Sequence, residues 1–257
     1  MDEIKSRLLN LRLPGMAQQW QTLVEMRRTG ELSLSDGMHL LLQAEADKRH
    51  ENRYARLMKN AGFRYRASLE EVNADPTRGI DKTLILVLCT KYEVDRLASG
   101  EYIKSGQTIL ITGASGVGKS FLASTFGHRA CQQGYRVLRT QYKYTVSYHN
   151  MQKLLLHLKM ARLDGSIIKL FDRWAKTNLM IIDDFGLTAL AGQQQTDFLE
   201  IIEDRHARQA TIIASQMPVT AWFDLIGDAV IADAILDRVV HTAHRFEIKG
   251  YDKYHVM

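Results

Sequence analysis

Residues 113–120 read Gly113-Ala114-Ser115-Gly116-Val117-Gly118-Lys119-Ser120, the G-x-x-x-x-G-K-[ST] spacing of a phosphate-binding loop. Glycines at those places let a loop turn tightly enough for its backbone N–H groups to converge on phosphate oxygens. A helix starting near Lys119 would add its positive end to the same anion. The Lys119 ammonium would neutralise β- and γ-phosphate charge, and the Ser120 hydroxyl is placed to ligate Mg²⁺. The apolar run Ile109-Leu110-Ile111 precedes the loop and a helix-compatible stretch follows it, the context such a loop requires.

A second chemical signal is Leu179-Met180-Ile181-Ile182 ending in Asp183-Asp184. Two carboxylates closing an apolar strand are costly unless they are used. A strand placed beside the loop strand would turn Asp183 toward Ser120 to hold Mg²⁺, with Asp184 as the base or water-orienting group for attack on the γ-phosphate. Thr211-Ile212-Ile213-Ala214 also ends in polar groups, and either Ser215 or Gln216 could face the γ-phosphate. Arg238 falls in Ala234-Ile235-Leu236-Asp237-Arg238, on a helix beyond the sheet. The Asn-Lys-x-Asp guanine signature is absent from the sequence, which favours ATP over GTP.

These groups need a scaffold, and the pattern from about residue 106 supplies one. Strand-like runs at 108–112, 136–140, 179–182, 211–215 and 245–248 alternate with helix-length segments such as Val146 to Leu163 and Gln194 to His206. Strands separated by helices predict a parallel α/β sheet covered on both faces, with ligands beyond the carboxyl ends of the strands. Residues 1–70 read instead as a small all-helical domain. Pro14-Gly15 breaks its first segment, and Ser35 or Asp36 caps a helix running toward Ala61-Gly62. Residues 71–100 read as a linker with a helix-length bridge at 81–98, and 101–257 as the ATPase domain.

The net charge of +5 over 257 residues is unevenly placed. Residues 102–163 hold nine Lys and Arg and no Asp or Glu, whereas 164–257 hold nine against fourteen. An acid-free stretch of that length points to anionic partners. Two patches fit nucleic acid. Arg49, Arg53 and Arg56 share one helical face, with Lys59 beside them, and Arg139 and Lys143 are interleaved with tyrosines. No base-reading motif is evident, so binding would be to duplex DNA irrespective of sequence. Two isolated cysteines and no long apolar run favour a reduced, cytoplasmic protein without a membrane partner.

The phosphate loop, the Asp183-Asp184-Phe185-Gly186 segment, Ala214-Ser215-Gln216-Met217-Pro218-Val219 and Ala232-Asp233-Ala234-Ile235-Leu236-Asp237-Arg238 resemble, in order and spacing, the IstB-type transposition helpers of the AAA+ ATPase family. Leu40 to Arg64 resembles their helical leading segment. The resemblance implies a P-loop AAA+ core lacking the C-terminal helical lid. It also implies a helper that binds ATP, forms homo-oligomers on DNA, deforms it and recruits a partner transposase near the bacterial nucleoid. By position, Lys119 and Ser120 would bind ATP–Mg²⁺, Asp183 the metal, and Asp184 would stand where relatives carry Glu. Gln216 would take the sensor position and Arg238 the arginine-finger position. Asp in place of Glu shortens the reach to water, which implies slow, partner-stimulated hydrolysis. Bacterial helicase loaders share the lidless plan and are the rival reading. A small-molecule P-loop kinase and a structural DNA coat gated by nucleotide are more distant ones.

Overall fold

The computed structural model describes residues 2–67, 71, 101–136, 145–241 and 243–248. The chain divides into two compact units, Met1–Leu57 and Met58–Met257.

The first unit is helical: α1 (Asp2–Asn10), α2 (Pro14–Glu25) and most of α3 (Leu34–Ala61). Pro14 sits in the first turn of α2, where its missing N–H costs nothing. Gly15 is required by a close crossing, because a Cβ there would lie 2.3 Å from the Ala44 carbonyl oxygen of α3. The buried Glu45 carboxylate satisfies the first N–H groups of α2, accepting from Gly15 N at 2.8 Å and Met16 N at 3.2 Å. The cap of α3 differs from expectation. It is Ser33, whose hydroxyl accepts from the Asp36 N–H at 3.2 Å while Asp36 accepts from that hydroxyl at 2.7 Å. This cap starts the helix two or three residues earlier than the Ser35 or Asp36 reading.

In the second unit, α4 (Glu101–Lys104) leads into β1 (Thr108–Gly113), and α5 (Lys119–Arg136) follows the phosphate loop. Then come β2 (Val146–Asn150), α6 (Met151–Leu163), α7 (Ile167–Ala175), β3 (Leu179–Phe185), α8 (Gln193–Arg205), β4 (Ala210–Ser215), α9 (Trp222–Ile226), α10 (Ala229–Val240) and β5 (His244–Ile248). The five strands are parallel in the order β2-β3-β4-β1-β5. Alternate residues feed opposite faces. Leu110, Met180, Ile182 and Ile213 join one large apolar cluster with Leu154, Phe198, Trp222 and Ile235. On the other face Ile181 lies against α5.

Two expectations are corrected. Val146 to Leu163 is a strand and then a helix, not one helix; Asn150 ends the strand and caps α6 by accepting from Lys153 N at 3.3 Å. The expected strand at 136–140 begins on a residue that is helical, since Arg136 closes α5; 137–140 lie outside the described residues. The bridge at 81–98 lies outside them as well.

A buried arginine joins two elements at the amino-terminal edge of the sheet. Arg205 is 1% exposed and donates to the carbonyls of Trp174, Thr177 and Ala210 and to the Thr211 hydroxyl. Burial lowers its pKa to about 9.

Candidate nucleotide site

The loop between β1 and α5 has the backbone that its sequence requires. Gly113 has φ 147°, and a Cβ there would meet the Ile248 carbonyl oxygen of β5 at 2.1 Å. Gly118, at φ 101°, sits where L side chains are strained. Ala114, Ser115 and Gly116 are exposed, with Val117 half-buried between them and Lys119. Lys119 is 7% exposed, and its ammonium donates to the Ala114 carbonyl oxygen at 2.7 Å. Burial pulls its pKa down, while Asp183 and Asp184 pull the other way. The lysine is thus tied across the loop by its bond to Ala114.

The strand carrying those carboxylates is not beside β1, as the sequence reading supposed. β4 lies between them. The strand itself is irregular at the carboxylates. Its register with β4 shifts between Ile182 and Phe185, and Asp184 has φ 59°. Successive strand residues normally face opposite sides; a bulge with a left-handed residue cancels that alternation. Asp183 and Asp184 consequently reach the same guanidinium, with Arg64 Nη1 3.9 Å from Asp183 Oδ2 and 3.2 Å from Asp184 Oδ2.

Asp183 is 1% exposed. Its Oδ2 accepts a hydrogen bond from the Tyr148 hydroxyl, whereas its buried Oδ1 has no partner in the protein. Burial and that bond hold the Tyr148 pKa well above its ordinary value, so the phenol remains a donor. Asp184 is more open, and its Oδ2 accepts from Asn150 Nδ2 at 2.8 Å. The orphaned, buried Oδ1 fits a divalent cation, and Ser120 is half-buried. Among the described residues there is no group of three or more His, Cys, Asp or Glu to form a complete protein cage, which suits Mg²⁺ shared with phosphates.

Of the remaining candidates, Ser215 is fully buried and occupied. Its hydroxyl donates to the Phe185 carbonyl at 2.7 Å and accepts from Met217 N at 3.0 Å, tying the ends of β3 and β4 together. That leaves Gln216, half-buried at the carboxyl end of β4. Arg238 lies at the far end of the sheet. It lines a small recess with Thr108 and Thr211, the first residues of β1 and β4's pairing. Its Nη2 donates to Glu203 at 2.6 Å and its Nη1 to the Ala234 carbonyl at 2.7 Å. Arg49, Arg53 and Arg56 line an open groove of about 410 Å³ together with His50 and Asn52. Arg49 is partly engaged there by Glu45 at 2.7 Å, and Lys59 is exposed on the same helix. Arg139 and Lys143 lie outside the described residues.

Three residues around the carboxylates escaped the sequence reading: Tyr148 and Asn150, hidden by the helix assignment of their strand, and Arg64, named only as the end of the leading helical segment.

A parallel sheet with a strand inserted between the phosphate-loop strand and the carboxylate strand defines a P-loop ATPase core of the AAA+ class. The chain belongs to the IstB-like ATP binding protein family, whose model matches residues 6–255. It is 37% identical over 244 residues to an insertion-sequence ATP-binding protein of Sinorhizobium fredii, covering 95% of this chain and 92% of that one. A second such protein, from Pseudomonas fluorescens, is 36% identical and covers 83% of this chain and 85% of its own. Among solved structures, DnaI superposes with TM-score 0.52 at 19% identity over 76% of this chain and 93% of that chain. The DnaC helicase loader does so with TM-score 0.51 at 18% identity, covering 72% and 98%. At those identities the likeness is one of fold. No described helix is long and apolar enough to cross a membrane.

Proposed function

We propose that this protein is the ATP-driven helper of an insertion-sequence transposase. In this reading it assembles with copies of itself on duplex DNA irrespective of sequence, deforms that DNA and recruits and stimulates the transposase. ATP hydrolysis then releases the assembly. Support comes from the insertion-sequence ATP-binding relatives and, in the molecule, from the buried, unpartnered Oδ1 of Asp183. The helicase-loader reading has only fold likeness behind it.

Each site residue has a part in this reading. Loop N–H groups and Lys119 would bind the β- and γ-phosphates; Ser120 and Asp183 Oδ1 would hold Mg²⁺, which would draw charge from the phosphate oxygens. Asp184 orients the attacking water and takes its proton, and Gln216 contacts the γ-phosphate side of that water. Arg238 cannot serve its own loop. It stands near the start of β1 while Lys119 follows its end, and a six-residue strand spans roughly 17 Å. In this reading it completes the site of a neighbouring subunit, which links nucleotide to assembly. The basic groove of α3 gives the DNA backbone a sequence-independent hold.

The test is ATP turnover and particle size with and without duplex DNA. Growth of the particle and faster turnover on DNA are expected. A monomer whose turnover ignores DNA would refute the reading.

A further inference from the structure

Arg64 is the part of the site that the phosphate-loop chemistry does not require. It lies just past the end of α3, in a segment fastened to the ATPase core at both ends. The Phe63 ring stands edge-on to His128 at 4.5 Å and to Tyr148 at 6.3 Å. It fills the hollow over Gly127, where a Cβ would come within 2.3 Å of Phe63 Cε1. On the other side Ala67, 3% exposed, donates its N–H to His128 Nδ1 at 3.2 Å. Burial lowers the His128 pKa, so the ring is neutral and free to accept. Between these fastenings the chain presents one charge to β3: the half-exposed Arg64 guanidinium, 3.2 Å from Asp184 and 3.9 Å from Asp183.

Two adjacent carboxylates in a half-buried site need a cation between them. With nucleotide and Mg²⁺ bound, the metal supplies that charge; without them, Arg64 adds its charge to that of Lys119. A guanidinium and a divalent cation against the same pair repel each other, so each weakens the other's hold. Arg64 also occupies the same Asp184 oxygen that accepts from Asn150, and a carboxylate with two donors on one oxygen is a poor base.

We propose that Arg64 is a positioning residue that stands in for the metal at the Asp183–Asp184 pair in the nucleotide-free chain, and that ATP–Mg²⁺ loading displaces it together with the 63–67 segment. Asp184 is thereby released for water only when the metal has arrived. The inference rests on the phosphate-site reading above.

The experiment uses the full chain and a fluorescent ATP analogue, with binding followed as Mg²⁺ is titrated. Arg64→Gln should lower the Mg²⁺ concentration at half-saturation by about fivefold, the small end of ordinary coupling between sites. Arg64→Lys keeps the charge and should stay near wild type, and nucleotide affinity in EDTA should change less than about twofold. A half-saturation point unmoved in Arg64→Gln, or moved upward, overturns the inference. Amide exchange at 63–67 in the wild-type protein gives a second readout that needs no variant. Faster exchange with ATP–Mg²⁺ than without is expected, and equal or slower exchange overturns the inference. Wild-type protein that binds no nucleotide at all would overturn the phosphate site itself, a distinct result.

Discussion

Replacing Arg238 by Ala separates folding from function with unusual clarity. Within its own chain the guanidinium bonds Glu203 and the Ala234 carbonyl, and the two side chains of the ion pair are 29% and 49% exposed. Partly exposed pairs of this kind contribute under about 1 kcal/mol. Ala is the best helix former for position 238 of α10, so stability should barely move. Nucleotide affinity should also hold, because the strand length of β1 separates this residue from Lys119 in one subunit. Turnover should fall by about 10³-fold or more, the usual effect of removing a charge that a neighbour inserts at the transferring phosphoryl group. The decisive assay mixes Arg238→Ala with Asp184→Asn at equal concentrations and measures phosphate release on DNA. An interface is complete when the Asp184→Asn subunit donates Arg238 to the intact site of an Arg238→Ala subunit. Random head-to-tail assembly makes about one interface in four complete, so about a quarter of wild-type turnover should return. No recovery at any mixing ratio, or near-normal turnover in Arg238→Ala alone, would refute the trans role.

Three further outcomes are expected. Lys119→Ala should abolish nucleotide binding and nucleotide-dependent growth of the particle, read by equilibrium binding and light scattering; an unchanged particle with ATP would remove the loop from the mechanism. Arg53→Ala and Arg56→Ala should each weaken DNA binding uniformly across sequences and flatten its salt dependence by about one unit of slope. Full salt dependence in the double variant would move the DNA surface elsewhere. His149, whose Nε2 is buried without a partner, has its pKa lowered to about 4 by burial first and then by the charges of His157 and Arg205. The folded state favours the neutral ring, so stability is full above about pH 6.5 and declines as pH falls toward 4, by roughly 2 to 3 kcal/mol. His149→Phe should flatten that part of the denaturation-versus-pH profile, and an unchanged slope would assign the acid sensitivity to other groups.

The legible parts of the site were those written in consecutive residues. The phosphate loop is a local backbone device, so its glycines, Lys119 and Ser120 stand in the sequence as they stand in space. Asp183 and Asp184 were legible as charge ending an apolar run, but their shared direction was not. That depends on a bulge and a left-handed residue, which no residue type at 184 announces. β2 was missed because Val146-Ser147-Tyr148-His149-Asn150 runs into α6 with no Gly or Pro between them. The boundary signal was Asn150 itself, a good helix cap. Strand order was not legible either, since apolar runs carry no label for their neighbours. Arg64 meets Asp184 across 120 residues of chain, and only the fold brings them together.

The opposite placement of Lys119 and Arg238 has a consequence for any assembly built through them. Each subunit then has a giving face and a receiving face, so copies add in one direction, and the series either closes into a ring or stays open. In an open series the first receiving site has no donor and the last donor has no site, so the number of working sites is one fewer than the number of subunits. The two ends also differ chemically: one exposes a loaded but slow nucleotide, the other an arginine with no site to enter. Such a polymer has direction, can gain subunits at one end while losing them at the other, and holds its oldest nucleotide farthest from the growing tip.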